Sequence, residues 1–481
     1  MGQSKRRWNC TTGQAPAARY GTMFFALFNG PHTRHPAMRR AFRLACILVL
    51  AGSAVAISAA EAAIVRDLPP GLHVPEKATA GPAFDVDRAT AAWLDTLSPE
   101  QRSLSDSYFE GGYWLQLWNL LYGLGVAAAL LLSGFSARMR DLVERITKRP
   151  MINVAIYGAF FVAVSFVLGL PLSIYSDFIR EHQYGLSNLS FAGWLGEQLK
   201  VLALTVIIGS VVISILYAGI RRAGAQWWVW ATGGAFLFSL FLTTIHPVFV
   251  APLFNDYKPL PDGPTRDALL SLARANEIPT EHLEWFDASK QTTRISANVS
   301  GMFGVTRISL NDNLLNKTSL PEIKAVLGHE MGHYVLNHLF KLTVYLTLLY
   351  GIAFAAVHVG LERALARWGT RLGLRGRADP AALPLLVGIF SIVWFVLTPL
   401  INTVVRTTEA EADAFGLNAA REPQGFAMAS MRLSTYRKLS PGAIEEFLFY
   451  DHPSGYDRVH RSMIWLKENT PAAGTATNAS P

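Results

Sequence analysis

The chain has 481 residues, of which 51% are hydrophobic and only 16% charged, with a formal net charge of +8. That length would allow two or three soluble domains, but the composition excludes an ordinary soluble protein. The positive charge sits in short loops between apolar stretches, which argues for membrane topology and against nucleic acid as a partner.

Residues 1–38 read as a disordered or mis-annotated N-terminus, with Met38, directly before Arg39 and Arg40, as a candidate start. Segment 39–63 contains the apolar run Leu44–Ala60, which reads either as a first transmembrane helix or as a cleaved signal peptide. Both cysteines, Cys10 and Cys46, lie in this part, so any metal site must use histidines and carboxylates.

About 20 uncharged residues cross the hydrocarbon layer as a helix. Six stretches of about that length lack Lys, Arg, Asp and Glu, near 114–134, 151–175, 201–220, 227–245, 342–361 and 381–405. The chain therefore divides into an N-terminal membrane region at 64–247 with four spans, a polar domain at 248–338 and a transmembrane hairpin at 339–405. A second polar part follows at 406–466, then a disordered tail at 467–481. Basic residues crowd the loop 135–150, the turn Arg221-Arg222, and the loop carrying Arg363, Arg367, Arg371, Arg375 and Arg377. With about seven spans these three fall on the cytoplasmic side, which places both polar parts on the non-cytoplasmic side. Within 248–338 the pattern predicts a helix over Thr265–Asn276 and strands over Arg294–Ser300 and Thr306–Leu310; beyond the last span it predicts helices over 406–420 and 423–438.

The chemistry concentrates after Ser319-Leu-Pro-Glu322, a helix start with Ser319 as N-cap and Glu322 three residues on. On the helix that follows, His329 and His333 lie one turn apart on one face, the spacing at which two imidazoles bind one zinc ion. Glu330 is rotated off that face, where a carboxylate serves as general base for an attacking water. The hairpin between 339 and 405 returns the chain to the same side of the membrane, so Glu409 is favoured as the third ligand, with Glu411 as the fallback. Two imidazoles and a carboxylate leave one position open, as in catalytic zinc sites. Asp413, one turn after Glu409, is placed to accept the outer N–H of a ligating histidine, and Arg406 to support the same carboxylates.

These segments, together with Leu170–Tyr175, Glu181–Gly185, Ala251–Phe254, Glu409–Asp413 and His452-Pro453 followed by Arg458, resemble the type 1 CAAX prenyl proteases, integral-membrane zinc endopeptidases related to the heat-shock membrane peptidases. The resemblance implies a ring of seven helices around a chamber, capped by the metalloprotease domain. It also implies oxyanion stabilisation by His452, with Arg458 nearby, and capture of the substrate backbone along Ser296, Ala297 and Asn298 by strand addition. Many relatives end that strand in Asn-Ala-Tyr, and this chain does not.

The expectation is thus an all-α polytopic membrane protein of about seven transmembrane helices with a small α+β zinc metalloprotease domain. It would bind one zinc ion per chain and act on a peptide or protein substrate at or in the lipid bilayer. A general membrane-protein quality-control peptidase and a non-catalytic zinc-binding scaffold are the competing readings; retention of Glu330 disfavours the scaffold, since holding metal does not require it.

Overall fold

The computed structural model describes residues 72–280, 282–302 and 305–470. Leu44–Ala60, both cysteines and residues 471–481 lie outside the described residues.

The fold is mostly helical. After α1 (Val86–Leu94), α2 (Pro99–Leu132) starts from a capping box in which Ser98 and Gln101 satisfy each other's backbone N–H groups. A basic amphipathic helix, α3 (Phe135–Ile146), leads to α4 (Pro150–Ser173). Next come α5 (Phe191–Ala223) and α6 (Trp227–Ile245), which turn at Gly224, a residue with φ of +56°.

The polar domain follows, with β1 (Tyr257–Pro259), α7 (Pro264–Ala275), β2 (His282–Phe286), β3 (Ala297–Met302) and β4 (Val305–Asn311). Then come α8 (Leu320–Val335), α9 (His338–Trp368), α10 (Leu383–Ala420), α11 (Pro423–Leu433) and α12 (Gly455–Asn469).

Among the described residues, five helical stretches are long and apolar enough to cross a membrane: Pro99–Leu132, Pro150–Gln183, Phe191–Leu253, His338–Trp368 and Pro380–Ala420. All six charge-free stretches of the sequence map onto these five, because 201–220 and 227–245 share the third, which is 63 residues long and broken at Gly224. Large apolar side chains such as Ile207, Leu237, Leu348 and Val396 stand exposed along these helices. In water so much apolar surface would be unfavourable; facing lipid tails it is not.

The sheet has strand order β1-β2-β4-β3, with β2 and β4 parallel and the other pairs antiparallel, so β3 is an edge strand. Its core, including Leu269, Leu283, Ile308, Leu310, Leu327 and Met331, is closed by α7 and α8. The sequence starts the β3 strand three residues too early, because Arg294, Ile295 and Ser296 precede regular pairing. The 406–420 helix is no separate element but the end of α10, whose 38 residues run about 57 Å and so project beyond the membrane. The described residues before α2, 72–98, do not belong with the spans: Trp93 packs with Met431, Val459 and Met463 and donates its indole N–H to Gln424, fastening this segment to α11 and α12.

Candidate metal centre

Glu322 reaches back to the Ser319 N–H and also pairs with the buried Arg432, so the start of α8 is fixed by the residues that mark it in the sequence. One face of α8 then meets α10 at unusually short range. A Cβ on Gly332 would lie 3.0 Å from the Ala412 Cα, and one on Gly416 would lie 2.7 Å from the His329 backbone nitrogen. The glycines bring the His pair against the carboxylates. Gly416→Ala is therefore expected to destabilise the protein by about 1–3 kcal/mol and to weaken metal retention. Gly233→Ala, where nothing lies within 4 Å of the added carbon, should do neither in thermal unfolding and metal analysis of the purified protein.

His329 Nε2 and His333 Nε2 are 3.1 Å apart, and the Glu409 oxygens lie 3.2 Å from the first and 3.4 Å from the second. One ligand atom from each of the three residues falls within 4.8 Å of the others. Glu409 Oε2 is buried and makes no hydrogen bond of good geometry. Imidazole nitrogens and a carboxylate oxygen converging in this way fit a metal ion of intermediate softness.

Asp413 Oδ1 lies 2.8 Å from His329 Nδ1, and Asp413 Oδ2 accepts from Arg458 Nε at 3.0 Å. Burial disfavours protonation of His329, but the Asp413 and Glu409 carboxylates beside it outweigh that and raise the imidazole to about 9. Burial and the neighbouring His329 push His333 down to about 4. The two imidazoles are thus not both cationic at once. Burial pushes the Glu330 carboxyl up to about 7; His329 opposes this and Glu409 adds to it.

Sequence reasoning did not find His338. Its Nδ1 is 3.0 Å from His333 Nδ1 and its Nε2 is 3.0 Å from Glu411, which also pairs with Lys341. Glu411 is thereby engaged away from the three converging atoms. His338 is five positions after His333, a spacing that does not share a face on a continuous helix; the left-handed Asn337, with φ of 55°, turns it inward.

A cleft of about 170 Å³ is lined by His329, Glu330, Asp413, His452 and Arg458, with Ser296 and Ala297 of the edge-strand segment along one wall. His452 Nε2 stands 3.3 Å from Glu409 and its Nδ1 is 2.7 Å from Asp451. Asn298 is paired in the strand opposite Ser309 and does not line this cleft. Arg406 is not brought to Glu409 or Asp413; it donates to the carbonyls of Glu446 and Tyr450 and so supports the segment that leads to His452.

Residues 87–256 match the family model "CAAX prenyl protease N-terminal, five membrane helices", and residues 259–462 match that of peptidase family M48. The chain belongs to the type 1 CAAX prenyl proteases of peptidase family M48. It is a multi-pass membrane metallopeptidase.

The chain is 28% identical over 361 residues to a metalloprotease of Bacillus subtilis described as uncharacterized, covering 73% of this chain and 84% of that protein. It is 26% identical over 314 residues to CAAX prenyl protease 1 of Saccharomyces cerevisiae, covering 62% of this chain and 69% of the yeast protein. The crystal structure of S. mikatae Ste24p superposes with a TM-score of 0.64 at 20% identity, over 89% of this chain and 99% of that one, and shares the fold.

Proposed function

We propose that the protein is a zinc endopeptidase in which His329, His333 and Glu409 hold one zinc ion and Glu330 is the general base. The convergence of two imidazoles and a buried carboxylate beside Glu330, in a cleft with an edge strand, carries this reading. Zinc held there would supply a Lewis acid that makes water acidic near neutral pH and polarises a carbonyl.

The chain's own groups do the rest. The substrate backbone adds to the free edge of β3, with Ser296 and Ala297 at the start of the track and Asn298 within it. Glu330 takes the proton of the attacking water and delivers it to the leaving amine. His452 and Arg458 stabilise negative charge on the carbonyl oxygen as it develops. Asp413 fixes the orientation of His329.

The substrate is proposed to be a peptide held at the membrane. The yeast relative's name points to prenylated CAAX tails, whereas the basic loops at Arg138–Arg149, Arg221-Arg222 and Arg363–Arg377 favour a catalytic domain on the non-cytoplasmic side. Seven helices around a chamber is the architecture we assign to the membrane region.

Two measurements decide between substrate classes. Cleavage of a farnesylated CAAX peptide is compared with that of the same peptide unprenylated; at least tenfold preference for the farnesylated form supports prenyl processing, and equal rates support quality control. Protease added to spheroplasts should cut within 248–338, and full protection from outside would overturn the orientation.

A further inference from the structure

We propose that the membrane region carries, at the end remote from the metal centre, a binding groove for one anionic phospholipid between α2, α9 and α10. The groove is a cavity of about 440 Å³ whose walls are almost wholly apolar, from Leu124 and Leu131 on α2 to Gly388 and Ile392 on α10. Its lining ends in Arg363, Arg367 and Trp368 on α9. Arg363 and Arg367 are four residues apart and so lie on one face of the helix, and Trp368 ends it.

Charge decides the occupant. Two basic side chains of the following loop are matched: Arg375 pairs with Asp141 and Glu144, and Arg377 with Glu362. Neither Arg363 nor Arg367 has a carboxylate within 4.0 Å among the described residues, and both are exposed. An apolar recess that opens at two guanidinium groups without a carboxylate partner, one of them 5.9 Å from the centroid of the Trp368 ring at the helix end, sits at the boundary between hydrocarbon and water. A free anion would satisfy the arginines and leave the recess unfilled. A zwitterionic lipid would fill the recess but bring its own cation to the arginines. An anionic phospholipid does both, with its phosphate accepting from the guanidinium groups and an acyl chain in the recess.

The position gives the site a role separate from catalysis. Along α9, Trp368 lies about 45 Å from His338, which touches His333. Bound lipid would therefore not touch the cleft. It would hold α9, which follows directly on the helix carrying His333, against α10, which itself carries Glu409.

Native mass spectrometry and thermal unfolding of the full chain in detergent, with dioleoyl phosphatidylglycerol or dioleoyl phosphatidylcholine added, test this. One phosphatidylglycerol per chain should be retained with about tenfold or greater preference over phosphatidylcholine, and should raise the unfolding temperature. Arg363→Gln with Arg367→Gln should weaken that retention about thirtyfold. Arg371→Gln, exposed in the same region but outside the groove, should leave it unchanged. Gly388→Leu, which fills the recess, should abolish retention.

Equal retention of the two lipids, unchanged binding in the double arginine variant, or displacement by glycerol 1-phosphate as effective as by intact phosphatidylglycerol would each overturn the proposal. The lipid comparison is made on the unmutated protein, so a variant that fails to fold does not remove the test.

Discussion

Glu330→Gln is expected to lower peptide hydrolysis by roughly 10²–10⁴-fold while leaving the metal content at that of the unmutated protein. Glutamine matches glutamate in size and keeps a carbonyl oxygen, so packing in the cleft is preserved. What it loses is the capacity to accept a proton. Glu330 is outside the trio of converging ligand atoms but lines the same cleft as His329 and Asp413. Burial, opposed by His329 and reinforced by Glu409, brings its carboxyl to about 7. A base titrating near the working pH can both take a proton from water and return it to an amine. The check is kcat on a membrane-anchored peptide beside elemental analysis of the same preparation. Loss of metal along with activity would make Glu330 a ligand; activity within tenfold of the unmutated protein would remove it from the mechanism.

Glu409→Gln is expected to release the metal and with it all activity. Glu409 approaches His329, His333 and His452 at 3.2, 3.4 and 3.3 Å, so one carboxylate joins the two halves of the centre. Asp413→Asn should be milder, weakening affinity by about 10–100-fold, because it removes an outer partner of His329 and no ligand. Glu411→Gln should retain the metal, since that carboxylate contacts His338 and Lys341 and none of the three ligand atoms. Competition with a chelating dye gives the three affinities on one scale. Equal loss from the 409 and 411 variants would contradict the assignment of Glu409.

Much of this was legible from local patterns. Charge-free stretches mark every described membrane helix, and Ser319 with Glu322 marks the start of α8. The His329, His333 and Glu409 grouping followed from one helical turn and one membrane hairpin, both simple geometries. The remaining parts depend on how helices meet. His338 joins the centre through a single left-handed residue, Asn337, which no periodicity reveals. Arg406 is only three residues from Glu409, yet its guanidinium reaches the chain around Tyr450 instead. The close approach at Gly416 and Gly332 gives no signal in a sequence where 38 glycines serve many purposes. Arg458 could be related to Asp413 only through the family resemblance, since the 45 residues between them carry no spacing rule.

The most direct measurement is metal stoichiometry and peptide hydrolysis of the purified full chain, before chelation, after it, and after zinc is restored. The expected result is one zinc per chain, loss of both metal and cleavage on chelation, and return of both with zinc; in the His329→Ala, His333→Ala double variant neither should be present. Cleavage that survives complete metal removal, or one zinc per chain retained by the double variant, would contradict a catalytic metal held by this pair.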